Sequence, residues 1–176
     1  AASDVYKRQE DIILPYGRGK EVKICVIGGG ELALKAKDVA DSVITPEELG
    51  AIADDKKQAK KIANNTDYFI AEAPLMAVVG KRLGTVLGPR GKMPKPIAPG
   101  ADPAAMIAGL RKSVTIRTKD RKTFHAPVGT VDMPAEEIAE NVDLILKRVE
   151  SHLEKGRHNI ASAYVKTTMG PSERVL

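Results

Sequence analysis

Short apolar segments alternate with helical patterns between residues 22 and 87, and this alternation constrains the fold more than any other feature. The expected strands are Val22–Ile27, which ends in three glycines, Ser42–Thr45, Tyr68–Ala71 and Thr85–Leu87. The expected helices are Glu31–Ala40, a stretch that Pro46 opens and that continues through Lys56–Ala63, and Pro74–Leu83. Because parallel strands require a crossover connection, usually a helix, the pattern predicts an α/β fold with a parallel sheet covered by helices.

The pattern changes after Leu87. Three prolines within Gly88–Pro96 predict a loop, because proline is excluded from helix interiors and central strands. Beyond the loop, the first expected element is a helix from Asp102 or Pro103 to about Lys112. A β-hairpin follows, with strands Val114–Arg117 and Thr123–Val128 around the turn Thr118–Lys122. The last two elements are a helix over Pro134–Lys155 that Gly156 ends and a strand over Ile160–Thr167. Hairpin, helix and strand together predict an α+β unit.

This change of pattern predicts two domains. An α+β domain comprises residues 1–18 and 99–176, and a parallel α/β domain, residues 19–98, is inserted into it. The chain would cross between them near Tyr16–Lys20 and near Pro94–Pro99, and glycine or proline in both linkers permits a hinge. Residues 1–9 carry no periodicity and do not enter the fold prediction.

Basic residues concentrate in one part of the chain. The formal net charge is +5, but residues 81–122 hold eleven lysines and arginines against two aspartates, which gives that stretch +9 and the rest −4. A basic belt in loops rich in glycine and proline predicts a polyanionic partner such as nucleic acid, although a solvated face is the common alternative. Aromatic residues make up only 3% of the chain, which argues against binding of single strands by base stacking.

Several classes of protein are excluded by composition. No apolar run approaches the roughly 18 residues that cross a bilayer, so no membrane partner is expected. The single cysteine, Cys25, excludes an internal disulfide and a cysteine-based zinc site, and it fits a reducing, cytosolic setting. His125, His152 and His158 are isolated and indicate no catalytic arrangement.

Two glycine-rich turns are candidates for phosphate binding. Gly28–Ala33 follows a strand, opens a helix and fits the dinucleotide fingerprint, which would indicate a nucleotide-dependent enzyme. The acidic residue that should follow the second strand is missing, so a tight turn is the competing interpretation. Gly84–Lys92 departs from the P-loop pattern, yet its glycines and cations suit phosphate oxygens; an ordinary rigid turn is the alternative.

The segment Thr167–Ser172 leaves the last expected strand with small hydroxyl residues and a glycine. Such residues let a nucleic-acid backbone approach closely, and threonine hydroxyls bond to ribose 2′-OH groups or phosphates. A plain strand end is the alternative for this segment, and a pure protein-interaction module is the alternative for the whole chain.

Two motifs together resemble the ribosomal protein L-one family, the universal stalk protein beside the ribosomal exit site for tRNA. The motifs are Leu87-Gly-Pro-Arg-Gly-Lys-Met-Pro-Lys-Pro96, in the form of the archaeal and eukaryotic branch, and Tyr164-Val-Lys-Thr-Thr-Met-Gly-Pro-Ser172. His125–Gly129 also matches, and the likeness runs from about Ile12 to Arg174. The resemblance implies a split α+β (ferredoxin-like) sandwich with an inserted Rossmann-like domain that binds no dinucleotide.

The resemblance also implies a function without catalysis or cofactor. Members are structural constituents of the large ribosomal subunit, and they bind a bent, double-helical region of stalk rRNA near the exit site. Bacterial and archaeal members repress translation by binding the leader of their own mRNA. Exit-site tRNA is a further expected partner, the expected setting is the cytoplasmic ribosome, and a monomer is expected away from it.

The residues that the resemblance assigns to RNA lie in three places. The main face would be Ser162, Lys166, Thr167, Thr168, Met169 and Gly170, the hairpin would add Arg117, Lys119, Arg121 and His125, and the inserted domain would add Arg90, Gly91, Lys92 and Lys95. Members normally carry an N-terminal helix and strand that this sequence lacks, with unrelated residues 1–9 in their place. An exposed sheet edge is therefore expected in the α+β domain.

Overall fold

The computed structural model describes residues 9–118, 123–153 and 155–176, and the chain divides into two compact units. The terminal unit comprises Ala1–Lys20 and Lys112–Leu176, and the central unit comprises Glu21–Arg111. The expected α/β class is confirmed, because the central unit has a parallel sheet with helices packed against it.

The strands, in chain order, are β1 (Gln9–Ile13), β2 (Ile24–Ile27), β3 (Ser42–Ile44), β4 (Tyr68–Glu72), β5 (Lys95–Ile97), β6 (Ser113–Arg117), β7 (Tyr164–Lys166) and β8 (Ser172–Arg174). The α-helices are α1 (Gly30–Lys37), α2 (Pro46–Asp54), α3 (Lys56–Asn65), α4 (Met76–Leu87), α5 (Pro103–Arg111) and α6 (Ala135–His152). Short 3-10 helices lie at Ala73–Leu75 and Gly156–Asn159.

The central unit is built on a parallel sheet with the strand order β3-β2-β4-β5. Every residue of β2 is buried, because helices cover both faces of the sheet. On one face, Cys25 and Ile27 pack with residues of α2, α3 and α4. On the other face, Ile24 and Val26 pack with residues of α1 and α5. The unit is therefore a three-layer arrangement in which the apolar strand pattern marks the middle layer.

One strand expected in this unit is wrong. Thr85–Leu87 is the last turn of α4, and Val86 and Leu87 are buried in the core beside Val79 and Leu83. A short apolar run has the same hydrophobic pattern in a helix and in a buried strand. Here the run continues the helical spacing of Val79 and Leu83, so it completes the buried face of the helix.

The fourth parallel strand lies instead at Lys95–Ile97, at the end of the segment expected to be a loop. This strand, β5, is at the edge of the sheet and pairs with β4, with Pro96 opposite Ala71. A proline is tolerated on an edge strand because its missing N–H removes no ladder hydrogen bond on the open side. The three prolines therefore excluded a central strand but not an edge strand.

The continuous helical stretch expected over residues 46–63 is two helices. Asp55 interrupts it with an extended backbone, φ −98° and ψ 95°. The Asp55 carboxylate accepts hydrogen bonds from the N–H groups of Lys57 at 2.8 Å and Gln58 at 3.4 Å. These bonds satisfy donors that the first turn of a helix leaves unpaired, so α3 has its own N-cap.

Helix α5 belongs to the central unit. Ile107 and Leu110 pack in the same buried cluster as Ile24, and Nη2 of Arg111 donates a hydrogen bond to the carbonyl oxygen of Val39 at 3.0 Å. The chain therefore leaves the central unit at Arg111, later than the boundary at residues 98–99 that the sequence indicated.

In the terminal unit, β6 pairs antiparallel with β1, with Gln9 opposite Arg117 and Ile13 opposite Ser113. The expected hairpin of Val114–Arg117 and Thr123–Val128 is wrong, because residues 123–130 form no strand. The predicted turn falls largely on residues 119–122, which lie outside the described residues.

The alternation that suggested a return strand has a different cause. Phe124, Ala126 and Val128 pack against the core of the terminal unit, so alternate side chains do point inward. Pro127 has no N–H to donate to a ladder, and the carbonyl oxygen of Val128 accepts a hydrogen bond from Nδ2 of Asn141 at 2.9 Å. The segment thus has no strand partner, and a side chain of α6 holds it in place.

The helix α6 is shorter than the expected Pro134–Lys155, since it ends at His152. The last expected strand, Ile160–Thr167, is also shorter and begins at Tyr164. That strand, β7, pairs antiparallel with β8, which the sequence did not predict, with Tyr164 opposite Arg174 and Lys166 opposite Ser172. We call β7, β8 and the residues between them the ribbon.

Candidate nucleic-acid interface

The ribbon places four polar or aromatic side chains on one face. In an antiparallel pair, directly opposed residues share a face and alternate residues along a strand return to it. Tyr164, Lys166, Ser172 and Arg174 therefore lie on one face, and Val165 and Glu173 lie on the other. The first face carries two cations and an aromatic ring that is 56% exposed. This face has the chemistry of a nucleic-acid contact.

A tight turn closes the ribbon. The N–H of Gly170 donates a hydrogen bond to the carbonyl oxygen of Thr167 at 3.3 Å, which leaves Thr168 and Met169 at the tip. Both tip residues are exposed, and Met169 is 96% exposed. A Cβ at Gly170 would collide with Oγ1 of Thr167, so a larger residue there would force the Thr167 hydroxyl to move. The turn thus presents a hydroxyl and a thioether to solvent.

Ser162 lies just before the ribbon and is exposed. The neighbouring residue Ala163 holds the end of the chain, because its carbonyl oxygen accepts the N–H of Val175 at 2.9 Å and its N–H donates to Leu176 at 3.3 Å. Ser162, Lys166 and the residues Thr167–Gly170 are therefore parts of one continuous local structure.

The second group of expected RNA residues is only partly described. Arg117 ends β6 and is exposed, and His125 is exposed on the outward side of the segment 123–130. Lys119 and Arg121 lie outside the described residues. Over the residues that the structure describes, no hydrogen bond or ion pair joins Arg117 or His125 to the ribbon.

In the central unit, the expected phosphate loop is the C-terminal cap of α4. The N–H of Lys92 donates to the carbonyl oxygen of Leu87 at 3.1 Å, and the N–H of Gly91 donates to that of Gly88 at 2.9 Å. These are the paired bonds of a Schellman motif, and Gly91, with φ +70°, takes the left-handed position. The backbone donors of Gly91 and Lys92 are thus used within the loop, which favours the rigid-turn interpretation of the backbone.

The side chains of this loop reach the end of α3. Nε of Arg90 donates to Oδ1 of Asn64 at 3.2 Å, and Nη1 donates to the carbonyl oxygen of Val86 at 2.9 Å. Nζ of Lys92 donates to the carbonyl oxygens of Ala63 at 2.8 Å and Thr66 at 2.6 Å. Cations at a helix C-terminus are stabilised by the helix dipole and satisfy carbonyls that lack partners.

Lys95, the last residue expected to contact RNA in this unit, is half-buried on β5. Its ammonium nitrogen lies 5.6 Å from the centroid of the Tyr68 ring, within the range of a cation–π contact. Lys95 therefore packs on the neighbouring strand β4 through an aromatic side chain.

The dinucleotide alternative meets an obstacle at its first glycine. A Cβ at Gly28 would lie 2.6 Å from Cδ2 of Leu32 and 3.3 Å from Oε1 of Glu72. The Glu72 carboxylate therefore stands beside the turn where a pyrophosphate would have to approach the helix N-terminus. A fixed negative charge there opposes anion binding, and the tight-turn interpretation of Gly28–Ala33 fits this geometry better.

Cys25 is fully buried in the sheet of the central unit. Burial raises the pKa of its thiol to about 11, because the thiolate would lose its hydration. The thiol is accordingly neutral near physiological pH and acts as a small apolar side chain.

Sequence reasoning missed two sets of cations. The first is Arg174, which shares the ribbon face with Lys166. The signal for this residue was the alternation of side chains along the chain on both sides of the turn. The second set lies on α3, outside the basic belt of residues 81–122, and comprises Lys56, Lys57, Lys60 and Lys61. The signal for it was the sequence KKQAKK at the start of the helix. All four are exposed.

The comparison with known families agrees with this chemistry. Residues 2–171 match the family described as "Ribosomal protein L1p/L10e family", so most of the segment 1–9 lies within the matched region. Over the described residues, no helix is long and apolar enough to span a membrane.

Archaeal relatives named "Large ribosomal subunit protein uL1" match over nearly the whole chain. The protein of Methanocella arvoryzae is 55% identical over 168 residues, which is 95% of this chain and 79% of the relative. That of Archaeoglobus fulgidus is 57% identical over 164 residues, or 93% and 76% of the two chains. That of Haloferax volcanii is 51% identical over 174 residues, or 98% and 82%.

Proposed function

The chain belongs to the ribosomal protein L1p/L10e family, whose archaeal members here are large-subunit proteins, and on that premise we propose that it binds the rRNA of the subunit's stalk near the exit site for tRNA. The single observation that carries the proposal is the tip of the ribbon. Thr168 and Met169 project from a closed turn, and Lys166 and Arg174 stand on the strands beneath it.

The proposed mechanism is recognition of RNA shape. Lys166 and Arg174 neutralise phosphates, which gives an affinity that falls with salt. The Thr168 hydroxyl bonds to a ribose 2′-OH or a phosphate in the wide minor groove of an RNA helix, and Met169 packs on a ribose face. Ser162, Thr167 and Gly170 complete this surface, because Gly170 keeps the turn close enough for the backbone to approach.

Two further groups add contacts in this proposal. Arg117 and His125, with Lys119 and Arg121, would contact RNA from the terminal unit. Arg90, Gly91, Lys92 and Lys95 would contact it from the central unit, and the side chains of Arg90 and Lys92 also bond to helix ends. A guanidinium has five N–H donors and an ammonium has three, so the capping bonds of Arg90 and Lys92 leave donors for a phosphate.

We extend the proposal to the other RNA partners that the family resemblance implies. A leader of the chain's own mRNA that mimics the rRNA shape would occupy the same ribbon face, so rRNA and mRNA would compete and translation would be repressed when free protein accumulates. Exit-site tRNA would be a transient partner on the ribosome. The two units would correspond to the split α+β and inserted Rossmann-like domains of the family, and no catalytic step is involved.

Competition binding tests the proposal. Labelled stalk rRNA fragment is titrated with the protein in the presence of unlabelled stalk fragment or an unrelated RNA duplex of equal length. We expect the stalk fragment to compete at least tenfold better than the duplex, because shape recognition adds to the common phosphate attraction. Equal competition by both RNAs would contradict stalk recognition.

The nucleotide-dependent enzyme is the alternative, and thermal unfolding separates it. A ligand at about 100 times its dissociation constant adds about 2.7 kcal/mol of stability. We expect no shift in melting temperature with NAD, NADP or ATP, because Glu72 stands beside the glycine turn. A clear shift with any of them would favour the enzyme.

A further inference from the structure

The helix α3 carries an unusual concentration of positive charge. Lys56 and Lys60 form one pair four residues apart, and Lys57 and Lys61 form another. Like charges at this spacing are neighbours on a helix surface, and they destabilise the helix by about 0.2–0.5 kcal/mol per pair. The lysine pattern therefore does not serve the stability of α3.

Among the described residues, these four lysines have no anionic partner. The helix is preceded by Asp54, the last residue of α2, and by its own N-cap, Asp55. The Asp55 carboxylate is engaged with backbone N–H groups. Lys35 on α1 in the same unit does have an anionic partner, because its Nζ lies 2.7 Å from Oε1 of Glu31. The hydrogen bond and the charge of Glu31 raise the pKa of Lys35.

The positive charge continues past the end of the helix. Arg90 and Lys92 converge on its C-terminus, through Asn64 at 3.2 Å and the carbonyl oxygen of Ala63 at 2.8 Å. Six cations therefore accompany a helix of ten residues, which is about 15 Å long. The two lysines of each pair are separated by about 6 Å along the axis.

We propose that the exposed face of α3, extended by Arg90 and Lys92, is a second RNA surface that binds the phosphate backbone of a double-helical RNA segment. This inference rests on the proposed function and locates the central unit's contact mainly on a helix that the family motifs do not include. A nucleic-acid duplex carries closely spaced phosphate charges along its axis, about one per 1.7 Å in double-stranded DNA, so an array of cations along a helix suits it. The helix contains no aromatic residue for base stacking, which favours a duplex backbone over an unpaired strand.

A matched pair of triple variants tests the proposal. One variant is Lys56→Gln, Lys60→Gln and Lys61→Gln, and the control is Lys23→Gln, Lys35→Gln and Lys37→Gln in the same unit. Both remove three charges, and glutamine retains the helix propensity of lysine. Thermal unfolding shows that both variants are folded, and the affinity for the stalk rRNA fragment is then measured at several salt concentrations.

We expect the α3 variant to lower the slope of log K against log salt by about 2, since each lost phosphate contact removes roughly 0.7–0.9. The control should lower it by less than 1. Equal changes in both variants, with wild-type binding intact, would overturn the α3 surface and leave the ribbon proposal standing. Failure of the wild-type protein to bind the fragment would instead overturn the proposed function.

Discussion

The ammonium nitrogen of Lys92 lies 2.8 Å from the carbonyl oxygen of Ala63, at the end of a helix that begins 36 residues earlier than this lysine. The same nitrogen lies 2.6 Å from the carbonyl oxygen of Thr66. A residue that the family motif assigns to RNA therefore also caps a helix. The capping role can be measured apart from the proposed RNA contact, because helix capping affects the stability of the protein without RNA.

Replacing Lys92 with methionine should lower the free energy of unfolding by about 1–3 kcal/mol, because two carbonyl oxygens lose their donor. Lys60→Met, at an exposed position of the same helix, should change it by less than about 0.5 kcal/mol. Urea unfolding of both variants without RNA provides the measurement. Equal stabilities of the two variants would show that the Lys92 contacts contribute nothing to α3.

Gly91→Ala should destabilise the protein by about 1–2 kcal/mol, because an L-residue is strained at φ +70°. The matched control is Gly84→Ala inside α4, where an added Cβ meets no atom within 4 Å. The control should be neutral or stabilising by up to about 1 kcal/mol, since alanine favours helix. Thermal unfolding distinguishes the pair, and a loss of stability in both would contradict the Schellman cap.

Asn141 holds two loops of the terminal unit, because its Nδ2 donates to the carbonyl oxygens of Gly17 at 3.0 Å and Val128 at 2.9 Å. It is fully buried. Asn141→Leu should lower the free energy of unfolding by about 2–4 kcal/mol, because one buried and one half-buried carbonyl lose their donor and each loss costs about 1–3 kcal/mol. Asn65→Leu, at an exposed site, is the control, and denaturant unfolding that gives equal midpoints for both would refute the role of Asn141.

The Cys25 thiol should resist alkylation in the folded protein. Its pKa of about 11 exceeds that of an unfolded cysteine, so little thiolate exists at pH 8, and the side chain is fully buried. Above about pH 9 the unfolded state loses this proton before the folded state does, so the free energy of unfolding falls as the pH rises toward 11. Ellman's reagent should react slowly at pH 8 in buffer and rapidly in urea, and rapid reaction in both would contradict the burial.

The central sheet was predictable because its signal is local. Apolar runs such as Ile24–Ile27 are followed within a few residues by amphipathic helices, and this alternation specifies parallel strands. The two errors about strands in this unit have one origin. Thr85–Leu87 and Lys95–Ile97 are three residues each, too short for a period to distinguish helix, strand and loop.

The pairing of β1 with β6 was not predictable from local pattern. Asp11 lies opposite Thr115, and their side chains are hydrogen-bonded across 104 residues of chain. The local pattern instead predicted a hairpin between Val114–Arg117 and the alternating segment that follows it. Phe124 packs against the core of the terminal unit, but β6 forms its ladder with the more distant strand β1.

The candidate interface was predictable to a different extent in its two parts. The tip residues Thr168 and Met169 are exposed at a turn, as small hydroxyl and glycine residues near a strand end suggested. The capping bonds of Arg90 and Lys92 were not predictable in the same way, because they depend on where α3 ends in space. Glycine and cation content alone cannot distinguish a phosphate loop from a helix cap, because both need a left-handed glycine and positive charge.

A salt titration of Thr168→Val against Lys166→Gln on the stalk rRNA fragment tests the central claim most directly. Thr168→Val should weaken binding by about 1–3 kcal/mol at every salt concentration, because it removes a hydroxyl without removing charge. Lys166→Gln should instead reduce the salt slope by about 1. Wild-type affinity in Thr168→Val, or the same change of slope in both variants, would contradict recognition of RNA by the ribbon tip.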